Sequence, residues 1–171
     1  AAVGKDLGGA QKVINADGLL VTPAWVDVHT HYDGQVAWDE QMTPSLWHGV
    51  STVVMGNCGV GFAPATPDRH NWLIGLMEGV EDIPGPALAA GLPWGWQSFG
   101  EYLDVLDKMP RTLDVGGMVT HGAVRAFVMG ERGAKNEPAT PQDIAQMATL
   151  VREAVLAGAL GFSSSRTLVH T

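Results

Sequence analysis

Four short apolar, β-prone runs recur along this chain, at 25–31, 51–59, 114–121 and 159–165, and helix-patterned or loop-rich segments separate them. Strand-length runs that alternate with helical ones build βαβ units and a parallel sheet, so the expected class is α/β. Thr43-Pro44 reads as an N-cap and N1 pair opening a short helix through Trp47 and His48. Helices are expected over 68–79 and 98–109, the second with Phe99, Tyr102, Leu103, Leu106 and Met109 at helical spacing, and a long Gly/Pro/Trp loop joins them. Thr140-Pro141-Gln142-Asp143 is close to a capping box. It introduces a helix with Ile144, Met147, Ala148, Val151, Ala154 and Val155 on one face, ended by Gly158. Ahead of the first strand, 11–22 reads as a hairpin turning at Asp17-Gly18, and Pro23 breaks its ladder. The division is therefore 1–22, the end of a small β-domain, and 23–171, an α/β unit.

Four strands alternating with helices fit either an open doubly wound sheet or half of an eight-stranded barrel. No G-x-G-x-x-G stands between the first strand and its helix, which disfavours a dinucleotide-binding half. Chemistry gathered at strand ends favours the barrel. Barrels typically need about 250 residues, and this chain has 171.

That chemistry begins at Asp27-Val-His-Thr-His-Tyr-Asp33. In a strand, side chains alternate faces, so His29 and His31 leave one face together while Val26, Val28 and Thr30 point the other way. Two strand rises separate the ring bases by roughly 6.6 Å, and imidazoles that lean together can share an ion at about 2.0–2.1 Å. The bland alternative is a polar strand end facing water. Ser51–Gly59 reads as a second buried strand with Val54, Gly56 and Cys58 on one face, ending in the single cysteine. A solitary cysteine is either a small buried apolar residue or a thiolate ligand or nucleophile. Adjacent parallel strands deliver their C-terminal residues to one mouth, which tilts Cys58 towards the ligand reading.

Composition narrows the partners. Ten Lys+Arg against 18 Asp+Glu give a net charge of −8 with no basic cluster, which argues against nucleic acid and anionic membrane. No apolar run approaches the ~20 residues of a membrane helix. One cysteine suits a reducing compartment, so a cytoplasmic location is expected. The first residues read as mid-domain sequence without a starting Met, and a lost leader stays open.

His29-Thr-His31-Tyr-Asp33, Gly56-Asn-Cys58-Gly59-Val-Gly-Phe-Ala-Pro64, Met77-Glu-Gly-Val-Glu-Asp-Ile-Pro84, Val128-Met-Gly-Glu-Arg-Gly133 and Gly161-Phe-Ser-Ser-Ser-Arg166 follow in this order. With them the chain resembles the N-acyl-D-amino-acid deacylases (D-aminoacylases) of the amidohydrolase superfamily over nearly its whole length. His-x-His is common to that superfamily, whereas Gly-Asn-Cys-Gly with Glu-Gly-Val-Glu-Asp-Ile-Pro belongs to the D-aminoacylase-like branch. Ala24 departs from the glycine usual there. The resemblance implies a partial (β/α)8 TIM-type barrel, about its first four strands, preceded by a piece of a small β-sandwich. It implies His29, His31 and Cys58 as ligands of one or two zinc ions, and a small-molecule N-acyl-D-amino acid as substrate. In that family zinc activates water and polarises the acyl carbonyl while an aspartate carries the proton to the leaving amine. No lysine occurs over 159–166 to supply the carboxylated bridge of hydantoinase-like branches. The family's remaining histidines and its aspartate fall beyond Thr171, so the chain is expected to be an N-terminal fragment, inactive and prone to self-association alone through unpaired sheet edges.

Beside these ligands, Asp27 and Asp33 lie on the histidine face, where either could orient an imidazole. His121 is expected to end the third strand and line the pocket, with Arg125 four residues on as a possible anchor for a substrate carboxylate. The ordinary alternatives are a loop carboxylate, a strand-end histidine and a surface arginine. Glu78, Glu81 and Asp82 read as an acidic loop, most simply a solvated face. Trp94, Trp96, His48 and His70 read as structural. Other substrates for the same barrel are a D-aminoacyl ester, a dipeptide or a cyclic amide.

Overall fold

Strand pairing follows chain order. A computed structural model describes residues 3–165, so Arg166 and His170 lie outside the described residues. Its strands are β1 (Trp25–Asp27), β2 (Val50–Met55), β3 (Asp114–Gly117), β4 (Val119–Thr120) and β5 (Phe162–Ser163). The helices are α1 (Thr43–Leu46), α2 (His70–Glu81), α3 (Gly85–Gly91), α4 (Phe99–Asp107), α5 (His121–Met129), α6 (Glu131–Ala134) and α7 (Pro141–Ala157). β1 pairs with β2 and β2 with β3, all parallel, and β4 pairs parallel with β5. β3 and β4 are one path interrupted at Met118, whose N–H still donates to Met55 O at 3.0 Å. On its other side Leu160 N–H donates to Gly117 O at 2.9 Å and Val119 N–H to Gly161 O at 3.0 Å. The order β1-β2-β3/β4-β5 has no reversal of the doubly wound kind among the described strands.

The core lies between these strands and the helices that connect them. Met55, Phe62, Leu73, Met77, Leu88, Trp96, Phe99, Tyr102, Val119 and Val124 form one buried cluster, and Trp96 Nε1–H donates to Phe62 O at 2.8 Å. Capping boxes start α4, at Ser98 with Glu101, and α7, at Thr140 with Asp143. Arg132 also reaches Asp143 at 3.0 Å, and with the Thr140 bonds it holds that carboxyl down at about 2. No helix among the described residues is long and apolar enough to cross a membrane.

Several sequence expectations need correction. Residues 11–22 form no strand; only the Asp17-Gly18 turn survives, closed by Leu19 N–H to Ala16 O at 2.9 Å. A lone two-stranded ribbon is marginal in water, and Val13, Ile14, Leu20 and Val21 are all exposed with nothing to pack on. The first strand stops at Asp27, and it is not buried: Trp25, Val26 and Val28 are 66%, 56% and 67% exposed. No described element covers that face. Thr43 is the first helical residue of α1, behind a left-handed Met42, rather than its cap. The Gly/Pro/Trp loop contains α3, begun by Gly85-Pro86. Of the predicted apolar face of α7, Ala154 is buried and Met147 and Val151 pack partly, but Ile144 and Val155 stay 55% and 48% exposed.

Candidate metal centre

Two turns, rather than two strands, carry the three donor atoms. β2 ends at Met55, and Gly56 turns the chain with φ +76°. A Cβ there would run into the Met118 carbonyl, so only glycine fits. Asn57–Gly59 then forms a 3-10 turn in which Cys58 is left-handed, at φ 56° and ψ 14°. Cys58 therefore does not share a strand face with Val54, as the sequence predicted. The His-x-His segment likewise lies past its strand, where Asp27 Oδ1 accepts the backbone N–H of His29 at 3.2 Å. Asp27 thus holds backbone, not imidazole.

These turns bring the expected ligands together. Cys58 Sγ lies 3.4 Å from His29 Nε2, and the two imidazole centroids are 5.5 Å apart at 62°. One donor atom from each of His29, His31 and Cys58 falls within 4.8 Å of the others. His29 is exposed and the other two are half-buried. A thiol with two imidazoles is a donor set suited to zinc or another borderline-soft divalent ion. Among the described residues no carboxylate joins them.

Three hydrogen-bonded links clip the two turns together. Thr30 sends its N–H and its Oγ1–H to Val54 O, at 2.9 and 2.8 Å. Asn57 Nδ2–H donates to Thr30 O at 3.1 Å and to Val54 O at 2.9 Å. Asp33 Oδ2 accepts Gly56 N–H at 3.1 Å. For Asp33 the sequence leaves open an imidazole-orienting group or an ordinary loop carboxylate. Instead it is buried and ties the residue two beyond His31 to the residue two before Cys58. Burial pushes its carboxyl up to about 7, against the pull of the Gly56 N–H. Glu81 backs it. This residue is not in a solvated loop but at the end of α2, with Oε1 accepting Gly34 N–H at 3.3 Å. Burial first, and then the Asp33 charge, push Glu81 up to about 8. Asn57 and Thr30 escaped sequence reasoning; for Asn57 the pointer was an amide between Gly56 and the only cysteine.

A cavity of about 230 Å³ opens beside Cys58, walled by Trp72, Leu76, His121, Arg125 and Asn136 among others. His121 starts α5 rather than ending a strand, and Arg125 follows one turn later on the same wall. The His121 ring stands 6.1 Å from Phe162, and Arg125 Nη2–H donates to Glu137 O at 2.8 Å. A larger cavity of about 570 Å³, along α4 and β3, contains none of the three donors. His70 stacks on Trp94 with centroids 3.5 Å apart, and Trp96 is buried; neither enters the site.

Known proteins resemble this chain in sequence and in fold. The Amidohydrolase family profile covers residues 12–171. D-aminoacylase of Alcaligenes xylosoxydans xylosoxydans is 35% identical over 166 residues, which are 96% of this chain and 31% of that enzyme. A solved D-aminoacylase, an enzyme with a binuclear metal centre, superposes with a TM-score of 0.63 at 30% identity, over 83% of this chain and 27% of that one. N-acyl-D-glutamate deacylase of Bordetella bronchiseptica, solved with zinc and a phosphonate mimic of the tetrahedral intermediate, gives 0.65 at 26% identity with the same coverage. The chain spans about three-tenths of the length of these relatives.

Proposed function

The chain belongs to the amidohydrolase family, and on that premise we propose that it forms part of a zinc-dependent hydrolase cutting the amide bond of N-acyl-D-amino acids to a carboxylate and a D-amino acid. One observation carries the reading: the donor atoms of His29, His31 and Cys58 lie within 4.8 Å of one another. The similar D-aminoacylase and N-acyl-D-glutamate deacylase supply the substrate class. In this reading His29, His31 and Cys58 hold one or two zinc ions. Asn57, Thr30 and Asp33 keep the ligand turns in register. Bound zinc would supply Lewis-acid polarisation of the acyl carbonyl and a lowered pKa for water. The proton carrier would come from outside these residues, since no described carboxylate stands with the three donors.

The fold supports the same proposal. Parallel strands in chain order, with ligands just past their C-terminal ends, fit the first four strands of a (β/α)8 barrel. Residues 23–171 would be that barrel portion and 1–22 the end of a small β-sandwich. Further barrel elements would cover Trp25, Val26 and Val28, so a chain of these residues alone is expected to self-associate. The test replaces Cys58 and, separately, His29 with Ala in the intact enzyme. Zinc content and hydrolysis of a panel of N-acyl D- and L-amino acids, with ester, dipeptide and cyclic-amide analogues, should fall together. Retained D-specific activity with normal zinc would refute the assignment.

A further inference from the structure

The turn that carries Cys58 is pinned from a distant strand. Three of its four residues, Gly56, Cys58 and Gly59, are left-handed at φ 76°, 56° and 79°, a region that disfavours a residue with a side chain such as Cys58. Something must hold it there. Ser163 of β5, 104 residues beyond Gly59, does so with one hydroxyl: Oγ accepts the Gly59 N–H at 3.0 Å, and Oγ–H donates to Gly56 O. An N–H can only donate and a carbonyl can only accept, so both roles of the hydroxyl are fixed. Ser163, Gly56 and Gly59 are all buried, where a hydrogen bond is stronger than in water. The packing around them leaves no slack. A Cβ on Gly59 would lie 3.0 Å from Ser164 Cα, and one on Gly122, at the start of α5, 3.0 Å from Gly59 O.

We propose that Ser163 aims the Cys58 thiol at the imidazole pair, as a positioning residue of the metal centre supplied by β5. The two peptide groups that it bonds enclose Asn57 and Cys58, so neither residue can rotate about its backbone without breaking one of the two bonds. Only the side-chain torsion χ1 is then left to the thiol, whose Sγ stands 3.4 Å from His29 Nε2. Asn57 ties the same turn to Thr30 O on the β1 side. The turn is thus gripped between β5 and the segment that bears His29 and His31. The inference rests on the metal-centre reading for what the thiol binds, and not for what holds its turn.

The experiment strips the intact enzyme of metal and reloads it with cobalt(II), whose thiolate charge-transfer absorption reports the bond to Cys58 and should vanish in Cys58→Ala. In Ser163→Ala, zinc affinity should fall about 10–100-fold, and the charge-transfer intensity per bound cobalt should fall with it. Ser163→Thr keeps the hydroxyl and should restore most of that intensity. Val53→Ala removes buried volume from β2 and should lower the melting temperature while the parent intensity is kept. Parent-like intensity and affinity in a folded Ser163→Ala overturn the proposal, as does an equal loss of intensity in Val53→Ala. Should Ser163→Ala not fold, hydrogen exchange at the Gly59 amide of the metal-free parent decides. Core-like protection upholds the clamp, and exchange as fast as at Gly18, in an exposed turn, overturns it. If the parent shows no charge-transfer band, the metal-centre reading falls, and the alkylation rate of Cys58 by iodoacetamide decides. A rate higher in Ser163→Ala than in the parent and in Val53→Ala upholds the aiming of the thiol, and equal rates overturn it.

Discussion

Truncating Asn57 to Ala should weaken metal binding more than it weakens the fold. The amide is 5% exposed and donates twice, to Thr30 O at 3.1 Å and Val54 O at 2.9 Å. Val54 O keeps the Thr30 N–H and Oγ1–H, so only the Thr30 carbonyl loses this donor outright. One buried acceptor stripped of its partner costs about 1–3 kcal/mol, and that range is the expected loss in urea unfolding of the metal-free protein. Zinc affinity should drop further. Groups that orient metal ligands from behind are typically worth 10–100-fold in affinity, and here the lost link is one of those that join the two ligand-bearing turns. Competition with a chromophoric chelator measures the affinity. Thr30→Val is the control, because Val54 O still receives the Thr30 N–H and the Asn57 amide, and it should cost only about 1 kcal/mol with little change in zinc affinity. A stability loss of the expected size with unaltered zinc affinity in Asn57→Ala would refute the idea that this clip preforms the site.

Glu81 gives the pH prediction. Its native pKa, about 8, lies above the usual glutamate value, so the native state holds a proton that the unfolded chain releases. Its contribution to stability should therefore be greatest below the ordinary glutamate range and decline as pH rises towards 8, by up to about 1.4 kcal/mol per pH unit for one proton. Glu81→Gln removes its share of that slope and leaves the part that buried Asp33 contributes as pH rises towards about 7; denaturation curves from pH 5 to 8 that keep the full parent slope would contradict this. Gly56→Ala combines φ +76° with a clash against the Met118 backbone, and should cost about 3 kcal/mol or more with loss of zinc binding. Gly18→Ala has nearly the same φ, +75°, but open space around it, so it should bear only the left-handed strain of about 1–2 kcal/mol without the clash; equal losses at the two glycines would refute the clash.

What was legible in the sequence is what local pattern encodes. Strand–helix alternation, the capping residue Thr140, and the types and order of His29, His31 and Cys58 all depend on neighbours a few residues away. What stayed hidden depends on distant contacts. Cys58 reads as the end of an apolar strand, and its left-handed backbone follows from Met118, sixty residues on, crowding Gly56. Asp33 reads as a ligand's neighbour, yet its partner is Gly56 N–H, 23 residues away. Helix α5 starts directly after Thr120, the last residue of β4, without a side-chain cap, so no punctuation separates strand from helix. The 11–22 ribbon fails for the opposite reason, because its local pattern is sound and no element among the described residues packs on it.

The displacement of the ligands from strands into turns changes what holds them. Ladder hydrogen bonds fix β1 and β2 only as far as Asp27 and Met55, and His29, His31 and Cys58 all lie beyond. Their mutual distances are set by the Thr30 N–H to Val54 O backbone bond and by side-chain links from Thr30, Asn57 and Asp33, and each side-chain link can be removed without cutting a ladder bond. The sheet and the donor geometry are therefore separable in mutational terms. Losses at Val53 or Met55 should appear first as stability and only afterwards as metal affinity, whereas losses at Asn57 should appear in the reverse proportion. A strand-borne His-x-His would not behave in this way, since there any change in ligand spacing must first disturb the ladder.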